Sequence, residues 1–406
     1  MVLLFSLSSA VYSEGADSYG NLTEWADLFY DPNTGLTAFP LLQSPGGGKY
    51  EGMGTAYTAV SSDSGFIEAN PAASALLNQT ELSFLHNNWI ADSNIEEVIY
   101  TMRFDNLGMG AGGKFLYVPF TEYNDFGDRT SRGYYFETII SMNVAYNLFS
   151  SYYFNGLALG ANLKFAYRHL PSDSIPNNVS RQSAVAVMLD IGLLTRLDLL
   201  KFYDSREKNF SLGAVLKNVG FHSHDDPLPS EISIGLSYAP VKPLNIAFDC
   251  NFPISFNRDA YPAENWNFAV GIDVQIAKFF SMQAGFRNRG SNPRISLGAD
   301  VDFSMVSFIV NYTLGLDTQF RSLDRFSIEA KIRLGDRGRE KKRSKVDELY
   351  IAGLEAYASG ELNKAIELWE KALDIDPTFQ PVKENLNAAK ESIRLLEEME
   401  KIQIVE

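Results

Sequence analysis

The sequence predicts a mainly β chain: a transmembrane antiparallel β-barrel of about fourteen strands, with a small α-helical domain after it. Three observations predict this. Apolar and polar residues alternate in blocks of roughly ten between Thr80 and Leu334. Beyond the first residues there is no run of about 18 uncharged apolar residues from which to build a spanning helix. After Gly335 the period changes from two to that of a helix. A chain without spanning helices crosses a bilayer only as a closed barrel, where every backbone group finds a partner.

The last block shows the alternation best. Phe326, Ile328, Ala330, Ile332 and Leu334 interleave with Ser327, Glu329, Lys331 and Arg333, so one face is wholly apolar and the other carries both charges. In a barrel the apolar face meets lipid and the charged face lines the lumen. Glu329, Lys331 and Arg333 are therefore candidate lumen residues, able to pair with one another or to meet a carboxylate. Similar blocks lie near 80–89, 95–104, 107–118, 134–149, 153–168, 181–194, 208–217, 231–238, 243–252, 265–274, 279–287, 293–301, 303–314 and 323–334. Loops such as Leu170 to Ser180 are rich in turn residues, and Tyr and Phe recur at strand ends, as interfacial girdles require.

Composition narrows the function classes. The chain has 406 residues, 45% hydrophobic and 13% aromatic, enough for two unequal parts. Its formal charge of -15, with Arg337 to Lys345 as the long basic stretch, excludes nucleic acid as the expected partner. Cys250 stands alone, which rules out an internal disulfide and a cysteine zinc site, and reads as a small packed residue. His222 and His224 beside Asp225 and Asp226 read as a solvated loop sooner than as a metal site. Neither metal nor cofactor is expected. The chain has no Gly-x-Ser-x-Gly elbow and no Ser/His/Asp constellation, so an enzyme is not expected either.

Residues 1–13 end in small residues, Val11 and Ser13 among them, and are expected to be a signal peptide that leaves Glu14 as the first residue. Residues 14–79 are not strand-like. They hold Pro45-Gly46-Gly47-Gly48, then Gly52-Met53-Gly54, then Asn70-Pro71-Ala72-Ala73, small residues that let backbone pack closely in a confined space.

Two stretches resemble a known family: Glu51-Gly-Met-Gly-Thr-Ala-Tyr-Thr-Ala-Val60, and Asn70-Pro71-Ala72 followed by Thr80-Glu-Leu-Ser-Phe84 and Trp89. They look like the start of FadL-like outer-membrane proteins, a superfamily that includes long-chain fatty-acid channels, PorV-like barrels and an uncharacterised spirochaete branch. Ser211 to Gly220 and Pro227 to Tyr238 are similar to the PorV-like and spirochaete members. The resemblance covers roughly residues 45 to 335. It implies a hatch, residues 14–79, plugging a barrel of residues 80–335, with Gly52, Gly54, Asn70 and Pro71 as candidate gating positions. It also implies a bacterial outer-membrane location and a long-chain fatty acid or other hydrophobic ligand.

Residues 336–345 form a charged linker too polar to be embedded. From Val346 to Phe379 the chain matches a tetratricopeptide repeat, with Leu349, Gly353, Ala365, Trp369, Ala372 and Pro377 at the large, small and helix-ending positions. Helices are expected from about Val346 to Ser359, Glu361 to Ile375 and Pro381 to Ile404, in a periplasmic domain of residues 346–406. The leading functional expectation is diffusive uptake of hydrophobic small molecules across the outer membrane. The alternative is a PorV-like scaffold that docks a periplasmic or secreted protein through the repeat.

Overall fold

The computed structural model describes residues 29–89, 93–124, 126–169, 183–222, 227–256, 262–316 and 324–405. The expected leader, the loop at 170–180 and His224 to Asp226 lie outside the described residues.

Fourteen strands form one closed antiparallel barrel. They are β1 (Glu81–Asn88), β2 (Asn94–Phe104), β3 (Leu107–Tyr123), β4 (Arg129–Leu148) and β5 (Leu157–His169). Then come β6 (Ala184–Leu197), β7 (Phe210–His222), β8 (Glu231–Val241), β9 (Leu244–Pro253) and β10 (Asn267–Ala277). The last four are β11 (Phe280–Arg289), β12 (Asn292–Asp302), β13 (Val306–Gly315) and β14 (Arg325–Arg333). Each pairs with its sequence neighbour, and β1 closes on β14 with Glu81 opposite Arg333 and Asn88 opposite Phe326. Closure leaves no unpaired sheet edge. Each of the fourteen alternating blocks in the sequence becomes one strand.

The wall is inside-out relative to a soluble sheet. On β14, Phe326 is 46% and Ile328 36% exposed, whereas Glu329 is 2% and Lys331 3% exposed. The same parity runs round the barrel: Val187, Leu189 and Ile191 of β6 face outward, while Asp190 faces in and is buried. Outward aromatics gather on neighbouring strands, with Tyr117 stacked on Tyr134 at 5.9 Å and Phe136 5.7 Å from Tyr167. Such an apolar outer face with aromatic clusters is what lipid requires of a barrel. Cys250 sits on the outward parity of β9, only partly buried, rather than being packed inside.

One strand boundary shows what alternation alone misses. The alternating pattern of β7 stops at Lys217, yet the strand runs on to His222 through a bulge opposite Asp190. Asn218 adopts a positive φ of 56°, and its amide, lost to the ladder, donates to Asp190 Oδ1 at 2.8 Å. Lys164 pairs with the other oxygen of Asp190 at 2.7 Å, so the irregularity is fully bonded.

Residues Gly335–Glu406, with the turn Phe149–Gly156, form a second compact unit. Its helices span Arg339–Ala358, Leu362–Ile375 and Gln380–Val405. The first therefore begins inside the stretch expected to be a linker. There Asp336 accepts the amides of Gly338 and Glu340, which holds its carboxyl below the usual range and caps the helix start. Gly360, at φ 80°, ends this helix: its amide donates to Tyr357 O and that of Glu361 to Ala356 O, the 5→2 and 6→1 bonds of a Schellman close. Trp369 is 1% exposed and lies against Gly353, where any Cβ would collide with the indole. Ala365 and Ala372 are fully buried beside it, Leu349 packs on the same cluster, and Asp376-Pro377 follows the second helix. Phe379 is sandwiched by Tyr152 at 5.0 Å and Tyr350 at 5.4 Å.

Replacing outward Ile191 by Arg (Ile191→Arg) is expected to lower stability in lipid vesicles by about 2–4 kcal/mol, as a midplane lipid-face charge does. Equilibrium unfolding in urea reads this. A change below about 0.5 kcal/mol, as at a soluble protein surface, would contradict the lipid-facing wall. Trp369→Ala is expected to cost about 3–5 kcal/mol in the helical unit, seen as early loss of helical ellipticity.

Candidate functional site

The segment before β1 lies inside the barrel. It enters at the rim far from both ends of the barrel chain, where Asp31 Oδ2 accepts the amide of Asn265 at 2.7 Å and Gly35 N donates to Glu264 at 3.1 Å. Glu264 is itself held by Arg289 in a two-pronged pair, each N–H···O at 2.7 Å. The segment then crosses the lumen, with Phe39 and Leu41 buried against Ile95, Leu116, Ile139 and Met188. It turns through short helices at Gly48–Gly52, Phe66–Ala69 and Pro71–Leu76 before reaching β1.

Close approach of backbone to wall is made possible by glycines. Directly opposed pairs line the wall at Gly160–Gly192, Gly213–Gly235 and Gly271–Gly285. A Cβ at Gly271 would stand 2.6 Å from Met53 O, and one at Gly285 would run into the backbone of Met53 and Gly54. Those at Gly160 and Gly192 would meet Pro71 and Asn70, and those at Gly213 and Gly235 would meet Thr58. A side chain at any of these positions takes space already filled by the inner segment.

Polar bonds fix the segment round the whole circumference. Glu51, 2% exposed, accepts from Ser327 Oγ (2.5 Å), Asn87 Nδ2 (3.2 Å) and Thr313 Oγ1 (3.2 Å), joining β14, β1 and β13. Asp63 pairs with Lys331 at 2.8 Å and accepts from Tyr57 Oη at 2.8 Å. Lys49 reaches Asp300 at 3.5 Å and Asp273 at 3.7 Å, and Glu68 pairs with Lys114. Asp249 on β9 accepts the amides of Tyr57 (2.9 Å) and Thr58 (2.8 Å), holding the turn where Thr55 has φ 71°.

The residues singled out in the sequence occupy this lumen with unequal roles. Gly52 faces Gln283 and Asn311, and Gly54, at φ 63°, lies against the β11 backbone. Asn70 is fully buried: Oδ1 accepts Ala72 N at 3.1 Å while Nδ2 donates to Thr58 O at 2.9 Å and Leu193 O at 3.0 Å. Pro71 O accepts from Asn143 Nδ2 at 3.0 Å. Glu329 accepts from Ser64 Oγ at 3.0 Å and lies 3.7 Å from Lys331. Arg333 stands apart, paired with Asp302 where β12 and β14 leave the wall.

Sequence reasoning missed Lys49, Glu51, Asp63, Glu68 and Asp249, which do most of the fastening. A signal was available, because each is a charge in an otherwise small or apolar stretch and Asp249 alternates with outward Phe248. Among the described residues, free space is found at two places in the lumen. One cavity of about 120 Å³ at the far rim is lined by Asn33, Leu36, Pro227, Pro253, Pro262 and Arg289. Another of about 50 Å³ lies deeper, among Tyr50, Glu97, Lys114, Lys217, Glu231 and Arg287.

Fold and lumen together define a closed antiparallel barrel with a lipid-type outer face and a plug continuous with its first strand. The chain belongs to UPF0164, an uncharacterised protein family whose model matches residues 27–337. Relatives include two UPF0164 proteins of Treponema pallidum (strain Nichols). One is 26% identical over 87% of this chain and 83% of its own length, the other 26% identical over 86% and 74%. Among solved structures it is similar to the P. putida toluene transporter TodX, with TM-score 0.48 and 12% identity over 72% of this chain and 99% of that one. A Pseudomonas aeruginosa FadL homologue gives TM-score 0.45 and 10% identity over 70% and 97%.

Gly285→Val is expected to displace Met53 and Gly54 and to destabilise the barrel by about 1–3 kcal/mol. Asp249→Ala, which strips two buried amides of their acceptor, is expected to cost a similar 1–3 kcal/mol. Both should make the Lys49 peptide bond sensitive to trypsin in the folded protein. Protection equal to the parent's would mean that these contacts do not hold the segment.

Proposed function

We propose that this chain is an outer-membrane barrel for diffusive uptake of hydrophobic small molecules, with long-chain fatty acids as the cargo class that the FadL resemblance implies. Residues before β1 act as the hatch. The observation that carries this reading is the way the lumen is closed. The plug is held by side-chain hydrogen bonds and ion pairs such as Asp63–Lys331, Glu68–Lys114 and Lys49–Asp300, and not by a disulfide or a continuous apolar core. Each of these bonds can be exchanged for bonds to water once the lumen is wetted, so a segment fastened by them can rearrange without unfolding the wall. In this reading the end carrying residues 81 and 333 faces the periplasm, and so does the helical unit, a single tetratricopeptide-like repeat.

A second reading, a scaffold for a periplasmic or secreted protein, is favoured by one observation. Leu395, Leu396 and Met399 on the last helix are 51%, 57% and 60% exposed, an apolar stripe that its own domain leaves uncovered. Leu386 and Ala389 of the same helix are buried within the domain.

The test uses a disulfide lock. Ser64 and Ser83 touch through their hydroxyls at 2.8 Å, one on the plug and one on β1. In a Cys250→Ser background, Ser64→Cys with Ser83→Cys is expected to abolish uptake of labelled oleate into vesicles when oxidised and to restore it when reduced. Uptake indifferent to the lock would remove the hatch role. No uptake in either state would favour the scaffold.

A further inference from the structure

The lumen holds three arginines that make no direct ion pair with the plug among the described residues. Arg287 of β11 and Arg294 of β12 stand directly opposite one another, an arrangement of like charges that a sheet ordinarily avoids. Arg325 of β14 is opposite Thr313 on β13, and by strand parity all three side chains point inward. The charges whose fields reach Arg325 are Arg294, Arg287 and Glu51.

The carboxylates whose charges act on these arginines, Glu51, Glu231 and Glu264, spend their oxygens on other groups. Glu51 is bonded to Ser327, Asn87 and Thr313. Glu264 is forked onto Arg289, and Glu231 is paired with Lys217 at 3.3 Å. Among the described residues, Arg287, Arg294 and Arg325 have no ion-pair partner. Arg294 Nε donates to the side chain of Asn292 at 3.3 Å, and the Arg325 guanidinium lies 5.7 Å from the centre of the Trp89 ring. Arg325 is 6% exposed, yet its buried Nε has no hydrogen-bond partner among the described residues, and neither has that of Arg287.

Leaving a buried guanidinium such as that of Arg325 without a partner is strongly unfavourable. Nothing in the net charge of the chain calls for it, since the whole molecule is acidic at -15. Guanidinium forks match the paired oxygens of carboxylate and phosphate, and a planar ring behind one of them fixes its orientation. Arg287 also lines the deeper cavity, which puts this member of the cluster beside free space inside the lumen.

We infer that Arg287, Arg294 and Arg325 form a binding site for an oxyanion in the far half of the lumen, taking either the anionic headgroup of an amphiphile or a free inorganic anion. It rests on the uptake reading only for the role of the bound solute. Anion binding in a barrel that fails to take up oleate would leave the site standing, and uptake of neutral solutes without anion binding would remove it.

The experiment is equilibrium binding to the full chain in dodecyl maltoside, with labelled inorganic phosphate, dodecanoate and the neutral analogue dodecanol as probes. Saturable binding of phosphate or dodecanoate is expected, weakened roughly tenfold or more by Arg294→Gln and by Arg325→Gln, with dodecanol binding unmoved. Competition between the two anions supports one shared oxyanion site. Binding of dodecanoate alone identifies an amphiphile's headgroup, and binding of phosphate alone a free anion. If a glutamine variant fails to fold, Arg325→Lys keeps the charge, loses the fork and is read in the same way. Absence of saturable anion binding by the native chain overturns the site, as does unchanged affinity in folded variants.

Discussion

The close approach of the inner backbone to the barrel wall is the contact on which the rest of the structure depends. Three opposed glycine pairs let Met53-Gly54, Thr58 and Asn70-Pro71 lie against strands with no side chain between. That proximity brings backbone amides and carbonyls within reach of wall side chains such as Asp249 and Asn143. A buried amide without a partner is costly, so close packing and polar satisfaction are one requirement rather than two.

The same requirement explains why the interior is charged. A barrel turned inside-out for lipid cannot use an apolar lumen as its core without losing the distinction between its faces. The plug supplies Lys49, Glu51, Asp63 and Glu68, and the wall answers with Asp300, Ser327, Lys331 and Lys114. Apolar contacts persist in patches, as at Phe66 and Ile67 against Ile99, but they alternate with polar fasteners round the circumference. Stability is thereby placed in bonds that water can replace, as the proposed hatch role requires. The arginines of β11, β12 and β14 are the exception, because among the described residues no carboxylate pairs directly with them.

The helical unit is built on a different principle. Its core centres on Trp369, which fills the space left by Gly353, Ala365 and Ala372, with Val346, Phe379, Val382 and Leu386 in the same cluster. Large-against-small packing of this sort needs few residues. The uncovered stripe of Leu395, Leu396 and Met399 follows from the length of the last helix, which outruns the two it packs on.

The sequence by itself determined the strands and their faces, because a period of two assigns every side chain to lipid or lumen irrespective of its partner. Fourteen strands, outward Ile328 and inward Glu329 were legible on those grounds, whereas Gly52, Gly54, Asn70 and Pro71 of the inner segment stood out by residue type and family resemblance, not by period. The extension of β7 past Lys217 was not, since it depends on Asp190 from a neighbouring strand satisfying Asn218. The helix start at Arg339 was hidden by charge, which reads as linker until Asp336 is seen to cap it. Only tertiary structure decided which charges meet. Lys331 finds Asp63 across 268 residues of chain, and Arg287 finds Arg294 instead of a carboxylate. Periodicity fixes direction along one strand, whereas pairing across a lumen depends on the path of a segment that has no period.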